Sequence, residues 1–298
     1  MTPSRSKTHQ SHAPRTTGKN SSERRTLRAE FVIRTLKPVT PNSLVPHRQL
    51  LARVLFALPV IFAIAGIVLV GLHLLQSLGI AVFAVGLIWI ATNFLTGSPG
   101  RIVRNLSPAV PQHRGFDQLV NLLESLCVGN GLVTPTVRVI DDRTLNAIVI
   151  GWNEGDATLV VTTGLLEGCS RIELEGVIAH ELAHIKRGDM RDAAFASVAC
   201  GFLSLMTDRS ATLLNALLSR SREANADLGG VAMTKYPPGL IQALSKITSY
   251  RTHPLGLTSR VVRLTASSWF NTLEQAKRKR VARGDLDVQE RIGLLAEL

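Results

Sequence analysis

Cysteine is scarce in this chain of 298 residues, and the few that occur lie far apart. Cys127, Cys169 and Cys200 have none of the short spacings that bind a metal through sulfur. An odd and sparse count of this kind is typical of a reducing compartment and argues against a disulfide framework. We therefore interpret each cysteine as a small buried apolar residue rather than as a functional thiol.

Acidic residues are also few: 22 Asp and Glu stand against 34 Lys and Arg, for a formal net charge of +12. Residues 1–49 hold ten of the basic residues and only two acids, Glu23 and Glu30. The segment is rich in Ser, Thr and Pro and poor in large apolar residues, which predicts a basic, disordered cytosolic tail. A mitochondrial transit peptide has a similar composition and is the alternative, whereas a secretory signal is not expected because the apolar run begins too late.

Charged residues are absent altogether between Arg53 and Arg101, a run of 47 residues. As one helix the run would be about 70 Å long, more than twice the thickness of a bilayer core, so it must fold back. A polar break in its middle predicts one span near Leu51–Gly71 and a second near Gly79–Leu95. We therefore expect a transmembrane helical hairpin over residues 50–96, with a buried hairpin of a soluble protein as the alternative.

Basic residues flank this run on both sides, with Arg48 and Arg53 before it and Arg101 and Arg104 after it. A tight hairpin places both flanks on one side of the membrane, and the positive-inside rule makes that side cytosolic. We therefore expect a multi-pass protein of the cytoplasmic (inner) membrane, with residues 97–298 in the cytosol. The mitochondrial inner membrane is the alternative location, in line with the transit-peptide interpretation of the tail.

The most informative stretch is Gly176–Asp189, which contains the pattern H-E-x-x-H at His180, Glu181 and His184. In a helix, residues four apart lie on one face, so the two imidazoles can bind one zinc ion. Glu181 would then point toward a water on that metal and could take its proton. Apolar residues at helical spacing, acids before them, and basic residues followed by Gly188 indicate that the stretch is helical.

A second stretch offers a third protein ligand, which a catalytic zinc site needs. Glu223 and Asp227 are four residues apart on a predicted helix, about forty residues after the histidines. Two histidines and a glutamate are one established set of zinc ligands. Asp227 could accept the second ring N–H of a zinc-bound histidine and so fix its tautomer. Solvated acids on a surface helix are the alternative interpretation.

Other elements place these motifs in a domain, residues 97–298. A helix is predicted at Phe116–Cys127. Ala193–Met206 is apolar but too short to span a bilayer, so we expect a core helix packed beside the zinc-binding helix, with shallow membrane contact as the alternative. The fold class is α+β, mainly helical with a small sheet, preceded by the two-helix transmembrane hairpin. The predicted strands are Thr136–Ile140, Asn146–Gly151 and Ala157–Thr163.

The runs HELAHIKRGD at residues 180–189 and SREANAD at residues 221–227 resemble the HtpX and CAAX-prenyl endopeptidase family of membrane-associated zinc metallopeptidases. The resemblance extends to Asn146-Ala147, to TTGLLEG before the metal helix and to PPGLIQALSKI after the second run. It covers residues 97–250. It implies a gluzincin-like fold, one Zn²⁺ per chain, and endopeptidase activity at or near a membrane.

By position, the resemblance implies that His180, His184 and Glu223 are the zinc ligands. It also implies that Glu181 is the general base and that Asp227 is the partner of a zinc-bound histidine. The implied substrate is a polypeptide, unfolded or membrane-associated, which lies as an added strand beside an edge strand of the sheet. We assign that edge strand to the third predicted strand, which comprises Ala157, Thr158, Leu159, Val160, Val161, Thr162 and Thr163.

Two features of the chain depart from the family pattern. HtpX-type members carry two further spans between the zinc-binding histidines and the glutamate, and this chain lacks room for them and resembles the two-span branch. The family also often ends with a His-Pro-Pro segment and then Glu-Arg; here Asp285 stands in place of that histidine, before Glu290-Arg291. The residue that stabilises the oxyanion is therefore open, and the candidates are His253, Tyr250, Tyr236 and Arg291.

Two non-enzymatic functions are alternatives: a membrane scaffold with a structural zinc site, and a membrane-tethered protein that binds nucleic acid or anionic lipid. Structural zinc sites are usually closed by four protein ligands, whereas this pattern provides three together with Glu181, which favours an enzyme. The basic cluster Lys277–Arg283 is more easily explained by lipid contact than by nucleic acid, which is not an expected partner. The oligomeric state is left open.

Overall fold

A computed structural model describes most of the chain beyond the basic tail, and all described residues belong to one compact unit, Val39–Leu298. Tyr250, His253, Asp285 and the cluster Lys277–Arg283 lie outside the described residues, as does nearly all of the predicted tail. The described residues are 46–71, 76–106, 109, 114–206, 213, 217–218, 221–249, 264–265, 268–270 and 286–298.

Two apolar helices open the described part, α1 over Pro46–Gly71 and α2 over Gln76–Gly97. They run antiparallel and meet through small residues: a Cβ on Gly66 would collide with the backbone of Phe83, and a Cβ on Gly86 would lie only 3.0 Å from the backbone of α1. Small residues at such contacts let two backbones approach closely, as in membrane helix pairs. The helix positions agree with those predicted for the hairpin.

The outer faces of both helices carry exposed Val, Ile, Leu and Phe side chains. By length and apolar composition, Ser77–Gly97 is the helix among the described residues that could cross a membrane. The apolar part of α1, Phe56–Leu69, is shorter than that criterion requires. The bilayer-crossing hairpin is therefore a proposal.

The sheet consists of β1 (Thr136–Ile140), β2 (Ala147–Ile150) and β3 (Thr158–Thr162), within one residue of the predicted ends. Its order is β1-β3-β2, with β3 parallel to β1 and antiparallel to β2. The remaining helices follow in the order α3 (Pro99–Arg104), α4 (Phe116–Asn130), α5 (Thr163–Gly168), α6 (Arg171–Arg187), α7 (Asp189–Ala199), α8 (Leu203–Met206), α9 (Arg222–Thr234), α10 (Pro237–Ser249) and α11 (Val288–Leu295).

The prediction that Ala157–Thr163 forms an edge strand is wrong, because β3 is the central strand of the sheet. Leu159, Val160 and Val161 are all buried, and such an unbroken apolar run is typical of a strand covered on both faces and both sides. Thr163 is not in the strand but is the first residue of α5. The edges of the sheet are β1 and β2.

The sheet separates two apolar cores. Val149 and Leu159 belong to the core on the side of α4, α6 and α10, whereas Ile148 and Val160 belong to the core on the opposite side. This alternation is the two-residue period of a pleated strand. As a result, the face of β2 that carries Val149 meets α6, the helix that carries the H-E-x-x-H pattern.

α6 has defined ends, as the sequence predicts. Ser170 accepts the backbone N–H of Glu173, and the Glu173 carboxylate accepts the Ser170 N–H at 2.7 Å, which forms a capping box. Lys246 of α10 donates to the same carboxylate at 2.6 Å. Gly188 ends the helix with φ of 75°, a left-handed conformation that glycine adopts without strain.

Glycines allow α9 and α10 to cross α6 at short distance. A Cβ on Gly230 would collide with the backbone of His180, and a Cβ on Gly176 with the backbone of Leu240. Because α9 also carries Glu223 and Asp227, this close approach brings both carboxylates to the histidines.

The predicted core helix at Ala193–Met206 is only partly formed. α7 packs beside α6, as expected, but it ends at Ala199, and a turn at Cys200–Phe202 separates it from the short α8. The same helix also packs against α1 and α2. It thus connects the metal helix with the apolar helix pair.

Candidate metal and catalytic site

His180, His184 and Glu223 converge in the interior of the protein, with ligand atoms that all lie within 4.8 Å of one another. His180 Nε2 is 3.6 Å and His184 Nε2 is 3.9 Å from the carboxylate oxygens of Glu223. These separations are too long for hydrogen bonds. They approach the distance of about 3.3 Å between neighbouring ligands that tetrahedral bonds of about 2.0–2.1 Å impose.

A carboxylate holds the other nitrogen of each imidazole. His180 Nδ1 is 2.8 Å from Asp227 Oδ1, and His184 Nδ1 is 3.2 Å from Asp189 Oδ2. A carboxylate in this position keeps the proton on Nδ1, so that Nε2 presents its lone pair to the cluster. The structure therefore brings Asp227 to the place that the sequence predicts for it.

Asp189 is a second carboxylate at the candidate site, and the sequence analysis does not predict it. The left-handed Gly188 reverses the chain directly after α6, which returns the next side chain to His184. Arg187 Nε also donates to Asp189 Oδ2, at 3.0 Å. The signal in the sequence is the Gly-Asp pair that follows the end of the metal helix.

The polar atoms of the cluster fit a metal ion. His180 Nε2 and Glu181 Oε1 are buried, and neither has a hydrogen-bond partner among the residues that the structure describes. Buried polar atoms are rarely left unsatisfied, and a cation bound between these two atoms would satisfy both. Two imidazoles and one carboxylate are suitable donors for a divalent cation.

The electrostatics also favour a cation. Burial lowers the pKa of His180, but the carboxylates of Asp227 and Glu223 outweigh this effect and raise it to about 9. His184 differs, because burial and the positive charge of Arg222 lower its pKa to about 4. Negative charge is therefore concentrated beside His180, where it would stabilise a bound metal ion as it stabilises a proton.

Glu181 lies on the same helix as the histidines but reaches toward the sheet. Its Oε2 accepts the backbone N–H of Val149, on β2, at 2.9 Å. The side chain is fully buried, and this burial raises the pKa of Glu181 to about 7. A carboxyl group with a pKa near neutrality can both accept and return a proton at physiological pH.

The outward edge of β2 lies beside Glu181. Asn146 O accepts the N–H of Thr162, so the next residue, Ala147, points its carbonyl away from β3. That carbonyl accepts the N–H of Phe270 at 2.9 Å. The Phe270 ring packs against His180 with ring centroids 5.0 Å apart. Phe270 belongs to no recognisable motif, and sequence reasoning has no signal for it.

Arg291 of α11 reaches the site, which places one of the four oxyanion candidates near the metal ligands. Its Nε and Nη2 donate to Asp227 at 2.6 and 2.7 Å, and its Nη1 lies 3.9 Å from Glu223 Oε2. Burial raises the pKa of Asp227, but Arg291 and His180 outweigh burial and hold it below its usual value.

Of the other candidates the structure describes Tyr236, which is not part of the cluster. Tyr236 is half exposed and lines a shallow cavity of about 230 Å³ beside the first half of α6, together with Ile172 and Thr234. Tyr250 and His253 lie outside the described residues. Sequence reasoning also does not identify Arg222, whose Nη1 lies 3.6 Å from Glu223 Oε1.

The site combines a helix with two candidate metal-binding histidines, a crossing helix with a glutamate, and a buried glutamate beside a strand edge. This combination defines a metalloprotein of the H-E-x-x-H class. The model of Peptidase family M48 matches residues 116–268, just over half of the chain, and the chain belongs to that family. The family resemblance of the two motif runs is thereby confirmed.

Several curated relatives are similar to this chain. A "Protease HtpX homolog" of Dictyoglomus thermophilum is 36% identical over an alignment of 170 positions, which covers 46% of this chain and 56% of that protein. One of Bacteroides fragilis (strain YCH46) is 32% identical over an alignment of 201 positions, which covers 55% of this chain and 62% of the relative. One of Listeria innocua is 27% identical over an alignment of 229 positions, which covers 62% of this chain and 73% of the relative. The chain thus spans little more than half the length of the first two relatives.

Proposed function

We propose that this protein is a membrane-anchored, zinc-dependent endopeptidase that hydrolyses peptide bonds of unfolded or membrane-associated polypeptides. The observation that carries the proposal is the convergence of His180, His184 and Glu223 around one point, with Glu181 buried beside them. Membership of peptidase family M48 and the similarity to HtpX proteases support it.

The proposed cofactor is one Zn²⁺, held by His180 Nε2, His184 Nε2 and Glu223. Bound there, it would supply Lewis acidity that polarises a peptide carbonyl and acidifies a water molecule. In the described part of the chain, no fourth His, Cys, Asp or Glu joins the cluster. Three protein ligands are typical of catalytic zinc and four of structural zinc, which favours the enzyme over the scaffold.

Glu181 is the proposed general base. Its Oε2 is fixed by the Val149 N–H, which leaves Oε1 to take a proton from the attacking water and to pass it to the leaving amine. Its pKa of about 7 suits both transfers. Asp227 and Asp189 orient the two imidazoles by holding their Nδ1 protons.

We propose that the substrate adds as a strand to β2, in place of the β3 strand expected from the sequence. Ala147 and Val149 direct backbone groups away from β3, beside Glu181. A substrate strand that pairs with backbone groups can have many different sequences. In this structure the Ala147 carbonyl accepts a hydrogen bond from Phe270, so a substrate strand that used this carbonyl would have to displace that N–H.

Arg291 is the oxyanion candidate that the geometry favours. Asp227 fixes its guanidinium through two hydrogen bonds, and Nη1 is directed toward the metal ligands. A buried guanidinium held in this way is a positive charge that needs no rearrangement when an oxyanion forms.

The proposed location is the cytoplasmic (inner) membrane, with α1 and α2 as a hairpin that crosses the bilayer twice and the site in the cytosol. The exposed apolar surface of the two helices requires a nonpolar environment. Arg101 and Arg104 follow α2 directly, on the side of the peptidase domain, which agrees with the positive-inside rule.

The zinc content of purified full-length variants in detergent tests the ligand set. We expect one zinc per chain in the wild type and its loss in His180→Ala and Glu223→Ala, because each removes one of three ligands. Glu175→Ala, which removes a carboxylate from the same helix outside the cluster, is the matched control and should retain zinc. Full stoichiometric zinc in both ligand variants would refute the assignment.

A further inference from the structure

The turn that follows α7 is built against the end of α2. A Cβ on Gly97 would collide with the backbone of Ser197, and a Cβ on Gly201 with the backbone of Asn93. The buried Asn93 side chain accepts the N–H of Phe202 at 2.9 Å. These contacts fix the turn beside the segment of α2 between Asn93 and Gly97.

Aromatic rings extend this contact to the protein surface. Phe202 packs against Trp89 of α2 with centroids 6.3 Å apart, and Phe195 against Phe56 of α1 at 6.2 Å. Phe195 and Phe202 are nevertheless 43% and 39% exposed. They continue the exposed apolar surface of α1 and α2 onto α7 and the turn.

The depth of the turn follows from the length of α2. Ser77–Gly97 corresponds to about 30 Å of helix, which is the thickness of a bilayer core. Trp89 precedes Gly97 by eight residues, or about 12 Å. If α2 crosses the bilayer, Trp89 lies within the hydrocarbon region, and Phe202 lies beside it.

The segment around the turn is uncharged and its polar groups are hydrogen-bonded, as a position within the hydrocarbon region requires. Ala193–Met206 contains no Asp, Glu, Lys or Arg. The backbone of the turn is hydrogen-bonded internally, from Gly201 N to Val198 O and from Ser204 N to Cys200 O. The Ser204 hydroxyl donates to the Gly201 carbonyl. Backbone and hydroxyl groups satisfied in this way are the condition for entering the apolar part of a membrane.

We propose that the corner formed by Ala199–Met206 is inserted in the cytosolic leaflet beside α2, as a third membrane-embedded element that enters and leaves on the same side. Phe202, at the tip of the corner, contacts lipid acyl chains, and Phe195, on the preceding helix α7, lies nearer the headgroups. This inference rests on the proposed membrane hairpin, because the exposed apolar surface of the corner is continuous with that of α1 and α2.

The embedded corner sets the height of the metal site above the membrane. α7 runs from Ser197, at the level of Gly97, to Asp189, whose carboxylate holds His184. The two residues are eight positions apart, which corresponds to about 12 Å of helix. The corner therefore works as a second anchor, which prevents the domain from tilting away from the hairpin.

Fluorescence quenching in phosphatidylcholine vesicles tests the insertion. The full chain is reconstituted with a bimane label on one introduced cysteine: Phe202→Cys at the corner, Ile88→Cys on α2, or Val128→Cys on α4 as the water-exposed control. The unsubstituted chain gives the labelling baseline for the three native cysteines. Nitroxides on the lipid acyl chains should quench positions 202 and 88 to a similar extent and leave position 128 unquenched.

Phe195→Cys provides a second reporter that does not alter the tip of the corner. It should respond more strongly to headgroup nitroxides than to acyl-chain nitroxides, because it lies nearer the surface. Quenching at 88 without quenching at 202 would overturn the embedded corner and leave the hairpin intact. Absence of quenching at 88 as well would overturn both the hairpin and the corner.

Discussion

α6 and α2 depart from the usual distribution of residues in opposite directions. α6 buries Glu181, Arg187 and both histidines, which soluble proteins normally expose, whereas α2 exposes Val85, Ile88 and Leu95, which they normally bury. Each departure costs free energy in water unless a partner compensates it. The proposed partner of the buried polar residues of α6 is a metal cation, and the proposed partner of the exposed apolar residues of α2 is lipid.

The two helices also differ in how specific their contacts are. Around α6 the polar contacts that orient the ligands have defined geometry, such as the carboxylates that hold His180 and His184. On α2 the exposed side chains need only be apolar. A substitution that introduces a charged side chain should therefore have its largest effect on the exposed face of α2. A substitution that removes a hydrogen-bonding group but keeps the shape of the side chain should have its largest effect around α6.

The largest stability effect is expected from a charge on the apolar surface. Ile88 is 64% exposed, and Ile88→Lys would place an ammonium group in hydrocarbon at a cost of about 2.5–3.5 kcal/mol. We expect less of the variant in the carbonate-resistant membrane fraction than of the wild type. Val128→Lys is the matched control on α4, and its fraction should not change. Equal membrane retention of both variants would show that α2 does not contact lipid.

The next effect concerns the carboxylates behind the histidines. Asp189→Asn and Asp227→Asn keep the shape but remove the charge, so zinc affinity should fall by about 10–100-fold, measured by competition with a chelator. Asp227→Asn should have the larger effect, because Asp227 also fixes Arg291. Asp117→Asn, at an exposed site on α4, is the control. Wild-type affinity in both site variants would mean that the carboxylates do not support the ligands.

The smallest effect is expected at the start of α6. Ser170→Ala removes the side chain of the capping box and should lower the free energy of unfolding by about 1 kcal/mol, measured by denaturant titration. Ser125→Ala, at an exposed position inside α4, should have almost no effect or a slightly stabilising one. If both variants have the same stability, the cap does not hold the metal helix.

Local sequence patterns suffice for the part of the site that lies on single helices. His180, Glu181 and His184 follow from one helical turn, and Glu223 and Asp227 from a second. The strand ends are found within one residue because Gly, Asn and Asp punctuate them. Each of these features depends on residues that are close together in the chain.

The features that the sequence does not predict depend on contacts between distant elements. The central place of β3 results from pairing on both sides, and the Phe270 contact with Ala147 joins residues far apart in the chain. Asp189 is an intermediate case, since its role follows from the left-handed Gly188 before it. The unbroken apolar run of β3 was the one local sign of its central position.

The most direct test of the proposed enzyme is the activity of Glu181→Gln, purified as the full chain in detergent, on casein. Because Gln keeps the shape of the side chain but cannot accept the proton, the variant should bind zinc like the wild type and lose cleavage. New N-termini of casein fragments, read by mass spectrometry, should occur with the wild type and not with the variant. Cleavage by Glu181→Gln at the wild-type rate would contradict the role of Glu181 as the catalytic base.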